Sequence, residues 1–551
     1  MPDWSYRTFL RPVGMALGAR RAHASALSTL RLLSRVPFGL KFIDFLGHMA
    51  PDVRLRREAG GLALRGPIAL GARVDPRGEA LPAFSRFGVG LIEVGPADVE
   101  ELARNLERRD RDVPVLVHLA KGDRVREAIE RLRDKAALFV VDPSDVDLVP
   151  SGDMVLSRGA FAAGAAGVWM DGDAEAVRAM RAELPNDAML IAAGAAEPHE
   201  VKARLDAGAT LVSIDTGLAT SGPGFVKRCN EALLSFEAAD APEPFTLDAA
   251  RRSWFWAFLL GLAMLLGGVM AVIIASTRVV LPYDESLCGL TRGQMAALNP
   301  RLLPFMAHDR ISLAGAMLAI GIFYASLGWS GIRRGAHWAQ VTVVVSATVG
   351  FFSFFTFLGF GYFDPFHAFV TAIITQFTLL CLVMQPSPPQ APAAEWRETA
   401  AWRRGQWGQL LFIILGVGLT GAGVVMTVIG CTSVFVQTDL EFMRTTAAEL
   451  RLSYERLVPL VAHDRATLGG MLIANGITVW LSAQWGFRAG TAWLWHALAW
   501  GGNLAFACAV VVHIVVAYSD WLHLTPAVAG WVLWNVALGL TRGWLVTDAR
   551  Q

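Results

Sequence analysis

The chain has 551 residues, of which 54% are hydrophobic and 18% charged, and its formal net charge is +1. Soluble proteins carry about 25% charged residues, so this composition, together with a mean hydropathy of +0.42, excludes a purely soluble protein. The near-neutral charge gives no support for nucleic-acid binding. No Walker motif occurs, and no Gly-x-Gly-x-x-Gly fingerprint follows a predicted strand.

Charged and apolar residues separate along the chain at about residue 250, and the chain is divided into five segments. These are an N-terminal segment over 1–48, a cytoplasmic β/α barrel over 49–245, a first membrane repeat over 246–385, a Pro-rich cytoplasmic linker over 386–407, and a second membrane repeat over 408–551. The predicted fold is therefore a compact, degenerate α/β barrel of the TIM type, fused to an all-α polytopic membrane domain of two parallel four-helix repeats.

The barrel prediction depends on short apolar strands that alternate with amphipathic helices. Such alternation favours parallel strands joined by crossover helices, and seven or eight units point to a (β/α)8 barrel. The predicted strands are 66–71, 91–94, 113–119, 137–141, 167–170, 189–193 and 210–214, and the predicted helices include 97–108, 122–134, 173–183 and 197–207.

Several sequence motifs in this half, taken in their order along the chain, resemble the quinone-linked class 2 dihydroorotate dehydrogenase family. The motifs are 6–12, 61–80, 87–95 and 206–224, and the resemblance covers roughly residues 5–235. It implies that segment 1–48 forms amphipathic membrane-associated helices, which lie on the lipid bilayer and admit quinone, and that a barrel that binds FMN follows. If the domain is active, the resemblance implies an FMN- and quinone-dependent oxidoreductase.

The resemblance also implies site residues. Backbone N–H groups near the last two strands would hold the FMN phosphate. Ser144 lies in the loop that carries the catalytic base in the family, which makes it the candidate for that role. The implied cofactor-binding residues are Gly71, Asp75, Lys121, Gly194, Thr216 and Gly217.

Departures from the family pattern are as informative as the matches. Pro76 follows Asp75 where the family has lysine, Pro96 replaces a threonine, and the Asn-rich substrate block is absent. Asp215 stands where tyrosine is usual, and a carboxylate beside a phosphate is repulsive. These changes favour a pseudoenzyme.

The second half contains eight apolar runs near the length of about 20 residues needed to span a bilayer. Arginines in the short loops, at 251–252, 333–334, 397, 403–404, 488 and 542, all fall on one side, which predicts that side to be cytoplasmic. Both termini would then be cytoplasmic in a bacterial-type inner membrane. The runs are 254–275, 311–329, 338–360, 366–384, 408–430, 466–486, 491–517 and 525–541.

A tandem duplication accounts for the polar residues among these runs. The word His308-Asp309-Arg310 recurs as His463-Asp464-Arg465, 155 positions later, and Asp284 recurs as Asp439. With a gap of one residue, 364–367 aligns with 520–523, so that an Asp-x-x-His word also occurs twice. We call the two His-Asp-Arg triplets the HDR words.

The duplicated polar residues are predicted to collect at the outer face, where two interpretations stand. In one, imidazoles and carboxylates bind a divalent metal. In the other, each HDR word caps a span and its arginine pairs with a loop carboxylate. The candidate metal ligands are His308, Asp309, Asp364, His367, His463, Asp464, Asp520 and His523.

Two further histidines lie on the seventh predicted span. His496 and His513 are 17 positions apart and would be the ligands of a haem, a weaker interpretation because neither has a counterpart in the first copy. Interhelical hydrogen bonding is the more usual role of such residues.

Two classes of function remain. In the first, the barrel is a pseudoenzyme that serves as a scaffold or ligand sensor, and the membrane half has an outer-face binding or assembly role, with other membrane-complex subunits as partners. In the second, the chain is a membrane-bound FMN-dependent oxidoreductase that donates electrons to quinone. Because the duplicated polar residues lie at the rim rather than the midplane, binding or assembly is favoured over transport.

Overall fold

The computed structural model describes residues 3–47, 49–122, 124–215, 218, 221–234, 245–355, 363, 365–390, 393–453, 455–518 and 520–547, without the side chains at 247, 354, 366, 367, 453 and 522. The chain divides into two units. The barrel unit comprises Met1–Ala239, Ala391–Gln406 and Ala549–Gln551, and the helical unit comprises Asp240–Gln390 and Trp407–Asp548.

Eight parallel strands close the barrel, which confirms the predicted fold class. A hairpin of β1 (Arg57–Ala59) and β2 (Leu62–Leu64) precedes it. The barrel strands are β3 (Ile68–Leu70), β4 (Leu91–Val94), β5 (Val115–His118), β6 (Leu138–Val141), β7 (Val155–Arg158), β8 (Gly167–Asp171), β9 (Met189–Ala193) and β10 (Leu211–Ile214). Their order around the barrel is β10-β3-β4-β5-β6-β7-β8-β9.

Strand β7 is absent from the sequence-based prediction. A short 3-10 helix, Pro143–Leu148, connects it to β6, and a loop leads on to β8. In the described part of the chain, no amphipathic α-helix directly precedes or follows this strand, unlike most other strands of the barrel. Around the rest of the barrel, the helices are α4 (Leu81–Phe84), α5 (Val99–Leu106), α6 (Val125–Leu132), α7 (Ala174–Glu183), α8 (Pro198–Asp206) and α9 (Phe225–Leu234).

Alternate residues of each strand face the two sides of the barrel wall. Ile92, Val94 and Val117 belong to the core between strands and helices. Leu91 and Leu116 belong to a separate cluster inside the barrel. The same alternation places the side chains two positions later in the interior, at the carboxyl end of the strands.

The barrel unit begins with helical segments, Asp3–Ser5 and the π-helix Tyr6–Leu10, which lead into α1 (Arg11–Leu17), α2 (Ala19–Leu33) and α3 (Gly39–Gly47). Leucines on one side of α2 and α3 pack against the barrel core. The same segment also leaves large apolar side chains exposed. The exposed set includes Phe9, Leu10, Val13, Met15, Leu17, Leu32, Val36, Phe38 and Phe42.

The helical unit places a helix at each of the eight predicted spans. Within the described residues, six helices are long and apolar enough to cross a membrane. Predicted spans three and four coincide with shorter helices. The helices at the eight predicted spans are α10 (Ser253–Thr277), α13 (Leu302–Ser326), α14 (His337–Phe354), α15 (Pro365–Val383), α16 (Ala400–Cys431), α19 (Leu457–Gly486), α20 (Ala492–Val515) and α21 (Trp521–Leu545), with α11 (Pro282–Cys288), α12 (Arg292–Leu298), α17 (Gln437–Met443) and α18 (Ala447–Ser453) in the connections.

Small residues bring these helices together in pairs that recur at the 155-residue offset. Gly315 of α13 packs against Cys508 of α20, and a Cβ at this glycine would lie 2.5 Å from the cysteine Cβ. Gly470 of α19 packs in the same way against Ser353 of α14. A helix of each copy therefore packs on a helix of the other copy.

Candidate functional site

The centre of the barrel, at the carboxyl ends of its strands, holds a buried polar triad. Glu93 on β4 is fully buried, and its Oε2 lies 3.0 Å from His118 Nε2 and 3.1 Å from Trp169 Nε1, which donates to it. The His118 and Trp169 rings meet edge to face, with centroids 4.9 Å apart. Within the described residues, Glu93 Oε1 has no hydrogen-bond partner. Such a carboxylate is costly to bury.

Asp75, an implied flavin-loop residue, is buried and serves the loop itself. Its carboxylate accepts hydrogen bonds from the backbone N–H groups of Glu79 at 2.9 Å and Ala80 at 2.8 Å, at the start of α4. Burial raises the pKa of Asp75, against the opposing effect of these hydrogen bonds. The residue therefore organises the turn that follows β3.

The other implied flavin residues are distributed around the strand ends. Gly71 donates its N–H to Ile214 O at 2.8 Å. Lys121 is exposed and pairs with Asp142 at 3.2 Å. Gly194 follows β9 with φ of +91°, a conformation that requires glycine. Thr216 and Gly217, the predicted phosphate cradle, lie outside the described residues.

Carboxylates occupy the place around Gly194 and β10 where a phosphate would have to enter. Asp171 Oδ1 lies 2.6 Å from the position of a Cβ on Gly194, so it covers the surface that this glycine leaves open. Asp215 follows β10 directly. Arg73 is shared between them, 3.5 Å from Asp215 and 4.0 Å from Asp171. Two negative charges therefore share the nearby cation, which is unfavourable for a phosphate at this position.

Ser144, the candidate base, belongs to a local turn. Its N–H and its Oγ both donate to Asp142 Oδ1, at 3.1 and 2.8 Å. The hydrogen bonds from Ser144 are the main reason that the pKa of Asp142 is lowered. The serine thus stabilises the carboxylate form of Asp142 at the start of the 3-10 helix.

In the helical unit, both HDR words lie inside helices, so the capping interpretation is wrong for them. Helix α13 begins at Leu302 and α19 at Leu457, one to two turns before each word. The side chains of the two words are largely buried. The predicted pairing of each arginine with a loop carboxylate is confirmed.

Each HDR arginine binds two carboxylates, and one of them belongs to the other copy. Arg310 donates to Asp284 at 2.8 Å and to Asp464 at 2.8 Å. Arg465 makes the corresponding contacts, to Asp439 at 2.6 Å and to Asp309 at 3.2 Å. Arg310 also donates to the backbone carbonyl of residue 279 at 2.6 Å, and Arg465 donates to that of residue 434 at 2.7 Å. Each copy of the repeat thus supplies one carboxylate to the arginine of the other copy.

A tyrosine and three histidines extend the second set of contacts. Tyr518 donates to Asp439 Oδ1 at 2.8 Å, and burial raises the pKa of its phenol. Its ring centroid lies 5.1 Å from that of His308 and 4.8 Å from that of His523. His308, His513 and His523 each offer one ring nitrogen, and these three nitrogens lie within 4.8 Å of one another.

The structure brings together only part of the predicted metal-ligand set. His308 and His523 meet, and Asp309 lies beside His308 with 3.4 Å between Oδ1 and Nε2. Asp464 is engaged by Arg310, Asp520 caps α21 by accepting from the His523 N–H, and His463 lies 3.5 Å from Thr467. Asp364 and the side chain of His367 lie outside the described residues.

His513 is the residue that the sequence-based ligand set lacks. It has no counterpart in the first copy, so the duplication does not indicate it as a ligand. A signal was available, since His513 lies ten positions before His523 across a tight connection, which brings the end of one span close to the start of the next.

Fold and site together define a membrane-embedded class of protein: a closed parallel barrel joined to a bundle of apolar helices. No protein-family model matches the sequence. Part of the chain is similar to a protein named dihydroorotate dehydrogenase (quinone) from Chloroflexus aurantiacus, with 38% identity over 93 residues, which are 16% of this chain and 25% of that protein. The protein of the same name from Alkalilimnicola ehrlichii is 33% identical over 102 residues, covering 18% and 28%.

The chain thus spans about a quarter of the length of the curated relatives it matches. Among solved structures, DHODH from Eimeria tenella in complex with ferulenol is similar with a TM-score of 0.32 and 15% identity, covering 39% of this chain and 91% of that one. The chain thus has a barrel unit with partial sequence similarity to dihydroorotate dehydrogenase (quinone), and a separate unit of apolar helices.

Proposed function

We propose that the barrel is a pseudoenzyme, a cytoplasmic scaffold or ligand sensor, and that the helical unit has an outer-face binding or assembly role in a bacterial-type inner membrane. Partners would be the lipid bilayer and other subunits of a membrane complex. The observation that carries the first half is the pair of carboxylates, Asp171 and Asp215, at the strand ends where a phosphate would enter.

Two further features support loss of the flavin reaction. Lys121, the implied flavin-binding lysine, is exposed and paired with Asp142 at 3.2 Å. The interior at the strand ends is filled by the Glu93, His118 and Trp169 triad, which buries a carboxylate in the middle of the barrel.

The sidedness of the proposal comes from the arginines of the short loops, which favour the cytoplasm. The HDR words, α11 and α17 then lie at the opposite, outer face. Their buried ion pairs and histidines are the polar groups that this face offers to a ligand or a partner, because ionisable groups at membrane depth usually serve a function.

The test of the pseudoenzyme is an absorbance spectrum of the full-length protein purified in detergent, followed by acid release of any chromophore. We expect no stoichiometric flavin and no quinone reduction with dihydroorotate. A matched variant, D171N/D215N, removes the two charges. We expect it to gain affinity for added FMN by at least about 10-fold, since removing repulsion of about 1.4 kcal/mol has this effect.

The alternative is a membrane-bound FMN-dependent oxidoreductase that passes electrons to quinone. Similarity to quinone-dependent dihydroorotate dehydrogenases and the exposed apolar side chains of α1 to α3 favour it. One FMN per chain in the purified wild type, reducible by dihydroorotate and reoxidised by quinone, would establish this alternative and overturn the pseudoenzyme.

A further inference from the structure

Three histidine rings from three helices converge at the HDR end of the helical unit. His308 lies on α13, His513 near the end of α20, and His523 in the first turn of α21. Their ring centroids are 5.0, 5.1 and 5.9 Å apart. The group is assembled from both copies, because His308 belongs to the first and the other two belong to the second.

Hydrogen bonds fix which nitrogen each ring can offer. Nδ1 of His308 lies 2.5 Å from Phe305 O, and Nδ1 of His513 lies 2.5 Å from Ala509 O. Each carbonyl accepts a hydrogen bond from Nδ1–H, so Nε2 is the nitrogen that carries the lone pair. Metal-binding histidines are held in this way, with the second ring N–H donated to a carbonyl or carboxylate.

The lone pair of His513 is otherwise unexplained. The residue is only 6% exposed, and within the described residues its Nε2 has no hydrogen-bond partner. A buried acceptor without a partner costs free energy comparable to a lost hydrogen bond. A cation in the middle of the three rings would remove that cost.

The surroundings suit a positive ion. Asp309 Oδ1 lies 3.4 Å from His308 Nε2, while its Oδ2 accepts from Arg465. One oxygen of this buried carboxylate is therefore left on the side of the rings. Three imidazoles with one adjacent carboxylate form a set of donor atoms that binds first-row divalent metals in preference to Ca²⁺ or Mg²⁺.

We propose that His308, His513 and His523 bind one first-row divalent metal ion through their Nε2 atoms, with Asp309 balancing its charge. The inference names the ligand of the outer-face binding role proposed above and is independent of the state of the barrel. Ligand atoms within 4.8 Å of one another must close to about 3.3 Å around a tetrahedral ion with metal–nitrogen distances of about 2.0 Å, a change that side-chain rotation can supply.

The sequence predicts only one such site per chain. The offset of 156 that aligns His367 with His523 also aligns Phe357 with His513. The corresponding position in the first copy thus has no third imidazole to join His463. A stoichiometry of one ion per chain is therefore expected rather than two.

Metal binding is tested with the full-length protein in detergent, stripped with chelator and titrated with Co²⁺. We expect saturation at one equivalent, with the visible d–d bands of a low-coordinate nitrogen site that Zn²⁺ abolishes. H308N, H513N and H523N should each weaken Co²⁺ binding by at least about 100-fold, since even partners of the ligands are worth 10–100-fold.

Two variants serve as matched controls. His496 is exposed on the same helix as His513, and H496N should bind Co²⁺ as the wild type does. H463N, at the position equivalent to His308, should also retain binding. Loss of binding in H496N would assign the site elsewhere and overturn the proposal.

Absence of saturable Co²⁺ binding by the wild type would also overturn it, as would wild-type affinity in the triple variant. If a single variant aggregates, X-ray absorption of the Zn²⁺-loaded wild type decides, because three-imidazole scattering supports the site and its absence contradicts it. A flavin-containing barrel would refute the pseudoenzyme but leave these outcomes unchanged.

Discussion

Arg465 shows how one side chain can hold two halves of a molecule together. It is 1% exposed and binds Asp439 of its own copy and Asp309 of the other. Buried charges of this kind are tolerated only as a complete set, because removing one partner leaves the others uncompensated. We therefore expect a variant that lacks one partner of a buried ion pair to be far less stable than a variant that lacks both partners.

We therefore expect R465M to destabilise the helical unit by about 3–5 kcal/mol, and D309L/R465M to lose less than the sum of the two single variants. The coupling free energy should be about 1–3 kcal/mol. Denaturant or thermal unfolding in detergent measures it. R451M, on exposed α18, is the control that should change stability little. Additive losses would show that the pair is not coupled.

The HDR words show what sequence patterns cannot establish at this scale. Hydropathy placed the spans from 311 and 466, because it counts every charged residue as unfavourable in a membrane. In the structure the helices begin at Leu302 and Leu457, since each charge is neutralised by a partner distant in sequence. The pairing of Arg310 with Asp284 was predictable from the repeat, whereas the exchange with Asp464 was not.

At the scale of elements, helix contacts in the helical unit depend on particular glycines. A Cβ at Gly416 of α16 would lie 2.6 Å from the backbone N of Trp480 on α19. Gly418, two residues later on the same helix, has nothing within 4 Å of its Cβ position. The two positions differ in packing but share the same helix.

We expect G416A to destabilise the helical unit by about 1–3 kcal/mol, because the new methyl group forces α16 and α19 apart. G418A should be neutral, or stabilising by up to about 1 kcal/mol through higher helix propensity. Comparing the two unfolding midpoints in detergent isolates the contact. Equal midpoints would contradict close packing at Gly416.

Elements with strong periodicity were predictable, and those without it were not. Seven of the barrel strands follow from apolar runs between amphipathic helices. Strand β7 was missed because Val155–Arg158 is preceded by a 3-10 helix and followed by a loop, so no helix pattern frames it. The carboxylates around Gly194 come from different strand ends, β8 and β10, and their convergence follows only once the strand order is known.

For the whole molecule, the proposed sidedness can be measured at a native cysteine. Cys431 is exposed at the end of α16, on the side that the loop arginines predict to be external. A membrane-impermeant maleimide should label it in right-side-out vesicles without permeabilisation, and C431S should lose that labelling. Labelling of Cys431 only in inside-out vesicles would reverse the proposed orientation.

The barrel unit is also discontinuous along the chain, and this sets an order for its synthesis. Buried Arg228 binds Asp3 at 3.3 Å and Glu398 at 3.1 Å, and Arg7 also pairs with Glu398. The strands are complete by Ile214, but Glu398 leaves the ribosome only after the first four apolar helices. A nascent chain therefore makes half of its apolar helices before Arg7 and Arg228 can bind the carboxylate that they share, and until then Arg228 can bind Asp3. A chain terminated before residue 398 would keep the contact between Arg228 and Asp3 but would lack the carboxylate that joins Arg7 to Arg228.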